Sequence, residues 1–265
     1  MRDGAGSHAN SILTKGQAVR LRQFVNHVAD FCYPPICTLC GAAGDSPPLC
    51  ADCNADLDRL AGAAACEACG YPLVNCADPC PHCHGKGIAP IDRVVRLGVF
   101  SDPLRTLVHR IKYRHGWPLA EFLADRLVAH EPAKGLLTET DCLVAIPLHP
   151  SRQWARGYNQ AAVLAERIGK VCSIPQRTPL VRLRNTRTQT TLHAQAKRVE
   201  NLRDAFGLID GKSVRGKHVV LVDDVMTSGA TVRSAARTLV AAEPASISVL
   251  AVAVADPKGR AYEFI

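Results

Sequence analysis

Aromatic side chains are scarce in this sequence, 5% of 265 residues, and Met and Trp occur only twice each. No stretch approaches the ~18 consecutive apolar residues of a membrane-spanning helix, so membrane insertion is not expected. The opening MRDGAGSHAN holds no apolar core of the kind a secretory leader carries, and a cytoplasmic setting is expected. Acidic residues are outnumbered, 24 against 32 Lys and Arg, which leaves a formal net charge of +8 and a pI near 9.0. That excess points to an anionic partner, a phosphate ligand or nucleic acid. Charged residues make up 21% and hydrophobic ones 47%, which excludes wholesale disorder. A chain of this length buries roughly 70–75% of its unfolded surface, enough for a core without staples, in one large domain or two.

What the sequence has in excess is cysteine. Twelve occur, and those at 32, 37, 40, 50, 53, 66, 69, 76, 80 and 83 crowd into one stretch, leaving only Cys142 and Cys172 outside it. Disulfides need an oxidising compartment that nothing here supplies. The spacing points to metal instead. Cys37-Thr-Leu-Cys40 and Cys50-Ala-Asp-Cys53 form one CxxC…CxxC set, and Cys66-Glu-Ala-Cys69 with Cys80-Pro-His-Cys83 forms a second. Each CxxC turn aims two thiolates at one point, and two turns complete a tetrahedron around Zn²⁺. Gly41 and Gly70 follow their pairs directly, where a tight knuckle asks for a residue tolerant of positive φ. Sequential pairing, 37/40/50/53 and 66/69/80/83, is expected; cross-braced pairing, 37/40 with 66/69 and 50/53 with 80/83, satisfies the same spacing. Cys76, His82 and His84 stand by as substitute ligands at the second site, with a bystander role the plainer reading. Cys142 and Cys172 read as core residues, and Cys32 as ambiguous. Two all-thiolate sites leave no open position for water, so the expected pair of Zn²⁺ ions is structural rather than catalytic.

Composition divides the chain into a polar, aperiodic and disordered N-terminus (1–16), a short helix (17–31, with Leu21, Val25 and Val28 on one face) joined to the cysteine module up to residue 88, and a larger domain over 89–265. GKGIAP (85–90) reads as a linker. Beyond it strands and helices alternate: VVRLGVF (94–100), a helix from Asp102-Pro103 with Leu104, Leu107, Val108 and Ile111 in register, a helix from Pro118 to about His130, CLVAI (142–146), a helix marked by Ala161, Leu164, Ala165 and Ile168, HVVLVDD (218–224), a helix marked by Val232, Ala235, Leu239 and Val240, and SISVLAVAVA (246–255). Near-continuous apolar strands alternating with helices describe an α/β fold, a parallel sheet flanked by helices, preceded here by the small cysteine-rich module.

The richest stretch is 219–231, VVLVDDVMTSGAT. A buried strand ends in Asp223 and Asp224, where open α/β sheets place ligands. A small, hydroxyl-rich loop then opens a helix. Backbone N–H groups from Thr227, Ser228, Gly229, Ala230 and Thr231 can converge on one anion, aided by the positive end of the helix. Carboxylates repel phosphate, so Asp223 and Asp224 are expected to accept from sugar hydroxyls, and the whole describes a ribose 5-phosphate. The loop has neither the Gly-Lys-Ser/Thr of a P-loop nor a GxGxxG. Arg152 and Arg156, on an expected loop after strand 142–146, face the same edge and suit pyrophosphate. Lys112 ends the first helix near it. Arg182, Arg184, Arg187, Lys197, Arg198 and Arg203 lie in a segment almost free of acid.

The stretch 219–231 resembles the 5-phosphoribosyl 1-pyrophosphate (PRPP) motif of type I phosphoribosyltransferases. The cysteine pairs in front, with AIPLHPSRQWARGYNQA (145–161), IKYRHG (111–116) and RNTRTQTTLHAQAKRVENLRDAF (184–206), resemble the ComF/GntX family of competence and DNA-utilisation proteins, over most of 32–265. The resemblance implies a type I phosphoribosyltransferase-like fold behind a double zinc-ribbon-like module. It further implies Mg²⁺-dependent pyrophosphate displacement from PRPP, a pentosyl transfer, with Asp223 and Asp224 on the ribose hydroxyls and residues 227–231 on the 5′-phosphate. The 182–204 segment resembles the loop that closes over PRPP in that fold. Thr227 stands where purine-salvage members carry an acidic residue that serves the base nitrogen. The implied partners are PRPP and single-stranded DNA or DNA-uptake proteins. A second reading makes the protein a non-catalytic PRPP sensor or nucleic-acid-binding accessory of DNA transformation.

Overall fold

The computed structural model describes residues 36–43, 47–75, 79–113, 116–185 and 205–255. The expected helix at 17–31 and the terminal segment 1–16 lie outside them, as do Cys32 and Cys76. The chain forms two compact units, Met1–Ala51 and Asp52–Ile265. Among the described residues no helix is long and apolar enough to cross a membrane.

Among the described residues seven helices and seven strands follow in chain order: α1 (Ala51–Ala61), β1 (Arg93–Val99), α2 (Leu104–Arg110), α3 (Trp117–Ala129), α4 (Glu131–Thr138), β2 (Cys142–Ala145), α5 (Pro150–Arg156), α6 (Gln160–Cys172), β3 (Gln176–Arg177), β4 (Leu180–Arg182), β5 (Phe206–Leu208), β6 (His218–Met226), α7 (Ala230–Val240) and β7 (Ser246–Val254). Five strands make one sheet in the order β1-β7-β6-β2-β3, parallel throughout. β4 and β5 form a separate antiparallel pair.

The apolar strands bury both faces of the sheet, and successive residues alternate between them. Val94, Cys142, Val144, Val219, Leu221, Ile247 and Val249 share one core with Val232, Ala235, Ala236 and Leu239 of α7, with Leu180 and Phe206 of the strand pair, and with Cys69, Tyr71, Cys80 and Cys83. The intervening Leu143, Val220, Val222, Leu250 and Val252 are equally buried. That second face meets α3 and α6, which pack on each other and on the sheet.

Local differences from expectation have local causes. GKGIAP is no free tether, because Ile88 and Ile91 are both in the core cluster. Pro103, not Asp102, is the N-cap of α2 and makes no side-chain cap bond; Asp102 instead accepts from the Thr106 hydroxyl at 2.6 Å. Cys142 is fully buried, whereas Cys172, at the end of α6, is only half-buried.

Candidate functional site

β6 runs between β7 and β2 at the centre of the sheet. It extends two residues past its expected end, since Val225 and Met226 still pair with Ala253 and Val254 of β7. Asp223 and Asp224 thus ride on the strand itself, near its carboxyl end. Thr227, Ser228 and Gly229 make the turn into α7, whose first residues are Ala230 and Thr231. Gly229 is the N-cap at φ 68°, with no side-chain cap. None of the backbone N–H groups of 227–231 has a partner among the described residues. An uncapped helix start with free amides is an anion site in waiting.

The two carboxylates differ. Asp223 is buried, and its Oδ1 accepts from the Asp224 N–H at 2.9 Å. Asp224 Oδ1 accepts from the Val225 N–H at 2.9 Å, while its Oδ2 is buried without a hydrogen-bond donor. Lys112 Nζ lies 3.7 Å from that oxygen, beyond hydrogen-bonding range but within ion-pair distance. Burial first, and the neighbouring Asp224 charge second, raise the Asp223 pKa well above the usual carboxylate range; Arg182 works in the opposite direction.

Four cationic side chains converge on this edge. Lys112 stands just past α2. Arg152 and Arg156 lie on α5, a helix formed inside a segment expected to be loop. His149 starts it by accepting the Ser151 N–H on Nδ1, and Gly157 ends it at φ 85°. Arg152 is half-buried, and burial together with the Arg156 charge lowers its pKa. Arg156 Nη1 donates to Gln160 Oε1 at 3.0 Å. Arg182, buried and lying 5.4 Å over the Phe206 ring, has its pKa lowered by burial and by Arg152, with Asp223 opposing. Like charges crowded beside two acids, with Arg156 acting on Arg152 and Arg152 on Arg182, describe a place for a polyanion. Arg187, Lys197, Arg198 and Arg203 lie outside the described residues, so most of the 182–204 segment does too.

Two contributors carried no sequence signal. The Tyr158 hydroxyl donates to the Ile111 carbonyl. That ties the segment behind Arg156 to the turn that carries Lys112. Gly116 makes room for it: a Cβ there would meet the Tyr158 oxygen at 2.8 Å and the Arg110 carbonyl at 2.6 Å. Gln160 is buried and holds Arg156. Arg182 was visible as a basic residue but not as the buried neighbour of Asp223.

The cysteines gather sequentially. Cys37, Cys40, Cys50 and Cys53 form one group, and Cys66, Cys69, Cys80 and Cys83 another, with the sulfurs of each within 4.8 Å of one another. Cys40–Cys50 and Cys66–Cys83 are 3.7 Å apart and Cys69–Cys80 3.6 Å. Four sulfurs tetrahedral at ~2.3 Å about one ion stand about 3.8 Å apart, so the spacing suits Zn²⁺ and is too long for disulfides. Gly41 and Gly70 both adopt φ 74°. Burial opposes the Cys37 thiolate, yet the backbone N–H groups of Cys40, Cys50 and Leu39 bring its pKa to about 6. Burial and its sulfur neighbours push Cys69 strongly upward. Four thiolates cannot crowd together without a cation, and the donor set calls for a soft divalent one. His82 stacks on Tyr71 at 5.2 Å.

The phosphoribosyl transferase domain model matches residues 155–263. The DNA utilization protein YhgH of Escherichia coli K12 is 33% identical over 188 residues, 69% of this chain and 81% of its own. Competence protein F of Haemophilus influenzae is 33% identical over 196 residues, 72% and 83% of the two chains. Competence protein ComFC of Bacillus subtilis is 29% identical over 199 residues, 72% and 77%. Among solved structures, a glutamine phosphoribosylpyrophosphate amidotransferase from B. subtilis overlaps 50% of this chain and 26% of its own at a TM-score of 0.34 and 24% identity. A purine phosphoribosyltransferase from Pyrococcus horikoshii overlaps 54% and 93% at 0.31 and 14% identity. Relatives a third identical along four fifths of their length, and a phosphoribosyltransferase domain behind two cysteine tetrads, leave one assignment: this chain belongs to the ComF family.

Proposed function

We propose that the carboxyl edge of the sheet binds PRPP and displaces its pyrophosphate, with Mg²⁺ bound alongside. The observation that carries this reading is the pairing of free amides at 227–231 with two carboxylates one turn upstream. The amides take the 5′-phosphate. Asp223 and Asp224 accept from the 2′- and 3′-hydroxyls, and the donorless Asp224 Oδ2 is the oxygen that most needs one. Arg152, Arg156 and Lys112 balance the leaving pyrophosphate. Charge then moves from C1′ to a site already lined with cations, and stabilising that separation is how such a site accelerates bond cleavage. Mg²⁺, when bound with PRPP, would supply further neutralisation of the pyrophosphate, and Asp224, whose Oδ2 has no donor, is the residue that could help hold it. Both tetrads hold structural zinc in a reducing, cytoplasmic setting. The relatives' names, DNA utilization protein and competence protein, support a role in DNA uptake or utilisation, with single-stranded DNA or an uptake protein as the partner.

Pyrophosphate release from PRPP and Mg²⁺, with and without single-stranded DNA and a panel of bases, tests turnover and identifies the acceptor. In calorimetry, the Asp223→Asn/Asp224→Asn double variant should lose PRPP binding with its fold intact. Unchanged affinity sinks the site.

A second reading, PRPP sensing or nucleic-acid binding without turnover, draws on Trp154 and Tyr113. They are 85% and 72% exposed and flank Arg152, Arg156 and Lys112 in sequence, as stacking residues beside phosphate contacts would. PRPP binding with no pyrophosphate release under any condition selects it.

A further inference from the structure

The second cysteine tetrad and the phosphate turn share a wall. Ile88, five residues past Cys83, is buried and sits directly on Gly229: a Cβ there would lie 2.9 Å from Ile88 Cδ1. Tyr71, His82, Ile88, Thr227, Ser228 and Gly229 line the seam between the two, whose gap of about 10 Å³ is at or below what one water needs. The knuckle is itself fixed to the sheet. Glu67 O accepts from the Val94 N–H at 2.7 Å, and Gly70 O accepts from the buried Arg96 Nε at 2.9 Å. A Cβ on Gly70 would be 2.8 Å from Val94 Cγ1 and 3.1 Å from Val254 Cγ2. Cys69, Cys80 and Cys83 belong to the core that also holds Met226 and Val254. Among the described residues the amides of the turn itself are unbonded; it is held at its ends, where Met226 O accepts from the Ala255 N–H at 2.7 Å and Gly229 O from the Arg233 N–H at 2.9 Å, and between them by packing on Ile88.

We propose that Ile88 is a positioning residue for the phosphate turn, through which PRPP binding at 227–231 and metal retention by Cys66, Cys69, Cys80 and Cys83 are coupled. The proposal rests on the PRPP reading of the site. A turn that must point several amides at one anion tolerates little displacement, and a knuckle that loses its ion no longer presents Ile88 at a fixed height. Linkage makes the effect reciprocal: whatever metal retention contributes to PRPP affinity, PRPP returns to metal retention.

The test is the rate of Zn²⁺ loss from the full chain to a chromophoric chelator, with and without PRPP and Mg²⁺, beside calorimetric PRPP affinity. PRPP should slow one of two release phases at least about fivefold and leave the other unchanged. Ile88→Ala should weaken PRPP binding about tenfold and abolish the protection, with circular dichroism unchanged, while Ile88→Val restores both. PRPP that binds the wild-type chain yet protects neither phase overturns the coupling while leaving the PRPP site standing. PRPP that fails to bind the wild-type chain takes down both. Should Ile88→Ala not fold, the wild-type protection and the Ile88→Val variant still decide.

Discussion

Burial and the Asp224 charge raise the Asp223 pKa, so the native chain holds that proton more tightly than the unfolded chain does. For this group stability is greatest below the unfolded carboxylate pKa, falls as pH rises, and stays reduced above the raised native value. Asp223→Asn keeps an oxygen to accept the Asp224 N–H and removes the buried charge. Its melting temperature without ligand should exceed the wild type's by about 2–4 °C, on the order of 1 kcal/mol. The margin should be wider at pH 8 than at pH 5, while PRPP binding is lost. Calorimetric melts at the two pH values check the sign; a wild-type chain more stable than the variant at pH 8 contradicts it. A residue that opposes folding and serves binding is what selection for function leaves in a site.

Elements show why part of the molecule is legible in its sequence and part is not. β1, β2, β6 and β7 read directly, because strands buried on both faces are unbroken apolar runs. The Asp pair and the cysteine spacings read because they are contiguous. α5 does not, since it buries none of its residues and so has no apolar stripe. β3, β4 and β5 are two or three residues long, too short for any period. The roles of Tyr158 and Gln160 are contacts: the Tyr158 hydroxyl reaches a carbonyl 47 residues away in sequence. That contact makes α5, α6 and the Lys112 turn one assembly. Tyr158→Phe should weaken PRPP binding about tenfold, as a displaced Lys112 would, while costing only about 0.5–1.5 kcal/mol of stability. Parallel binding and denaturation curves separate the two. The metal sites should differ as well. Cys40 is exposed, with Cys50 and Cys53 half-exposed, whereas Cys69, Cys80 and Cys83 are buried. A chelator should therefore draw near two Zn²⁺ per chain in two phases, and Cys40→Ser should remove the faster one. Iron, or a folded preparation free of metal, contradicts the assignment.

At the scale of the whole molecule, the charge of +8 and the shortage of aromatics make different statements about nucleic acid. Cations act on phosphates and release counterions, so their share of affinity varies with salt, by about 0.7 in log–log slope for each single-strand phosphate. An exposed ring stacks on a base and releases no ion, contributing about 1–3 kcal/mol whatever the salt. With Trp154 at 85% exposure two residues from both Arg152 and Arg156, both kinds of contact are on one short helix. Anisotropy titrations of a labelled single strand across salt concentrations can separate them. Trp154→Ala should lower affinity about tenfold or more at every salt concentration and leave the slope unchanged, whereas Arg152→Gln should flatten the slope by about 0.7. A slope that falls with the tryptophan variant shows that α5 as a whole has lost its place on the strand. Binding indifferent to salt removes the electrostatic argument altogether, and the positive edge of the sheet is then left to PRPP alone.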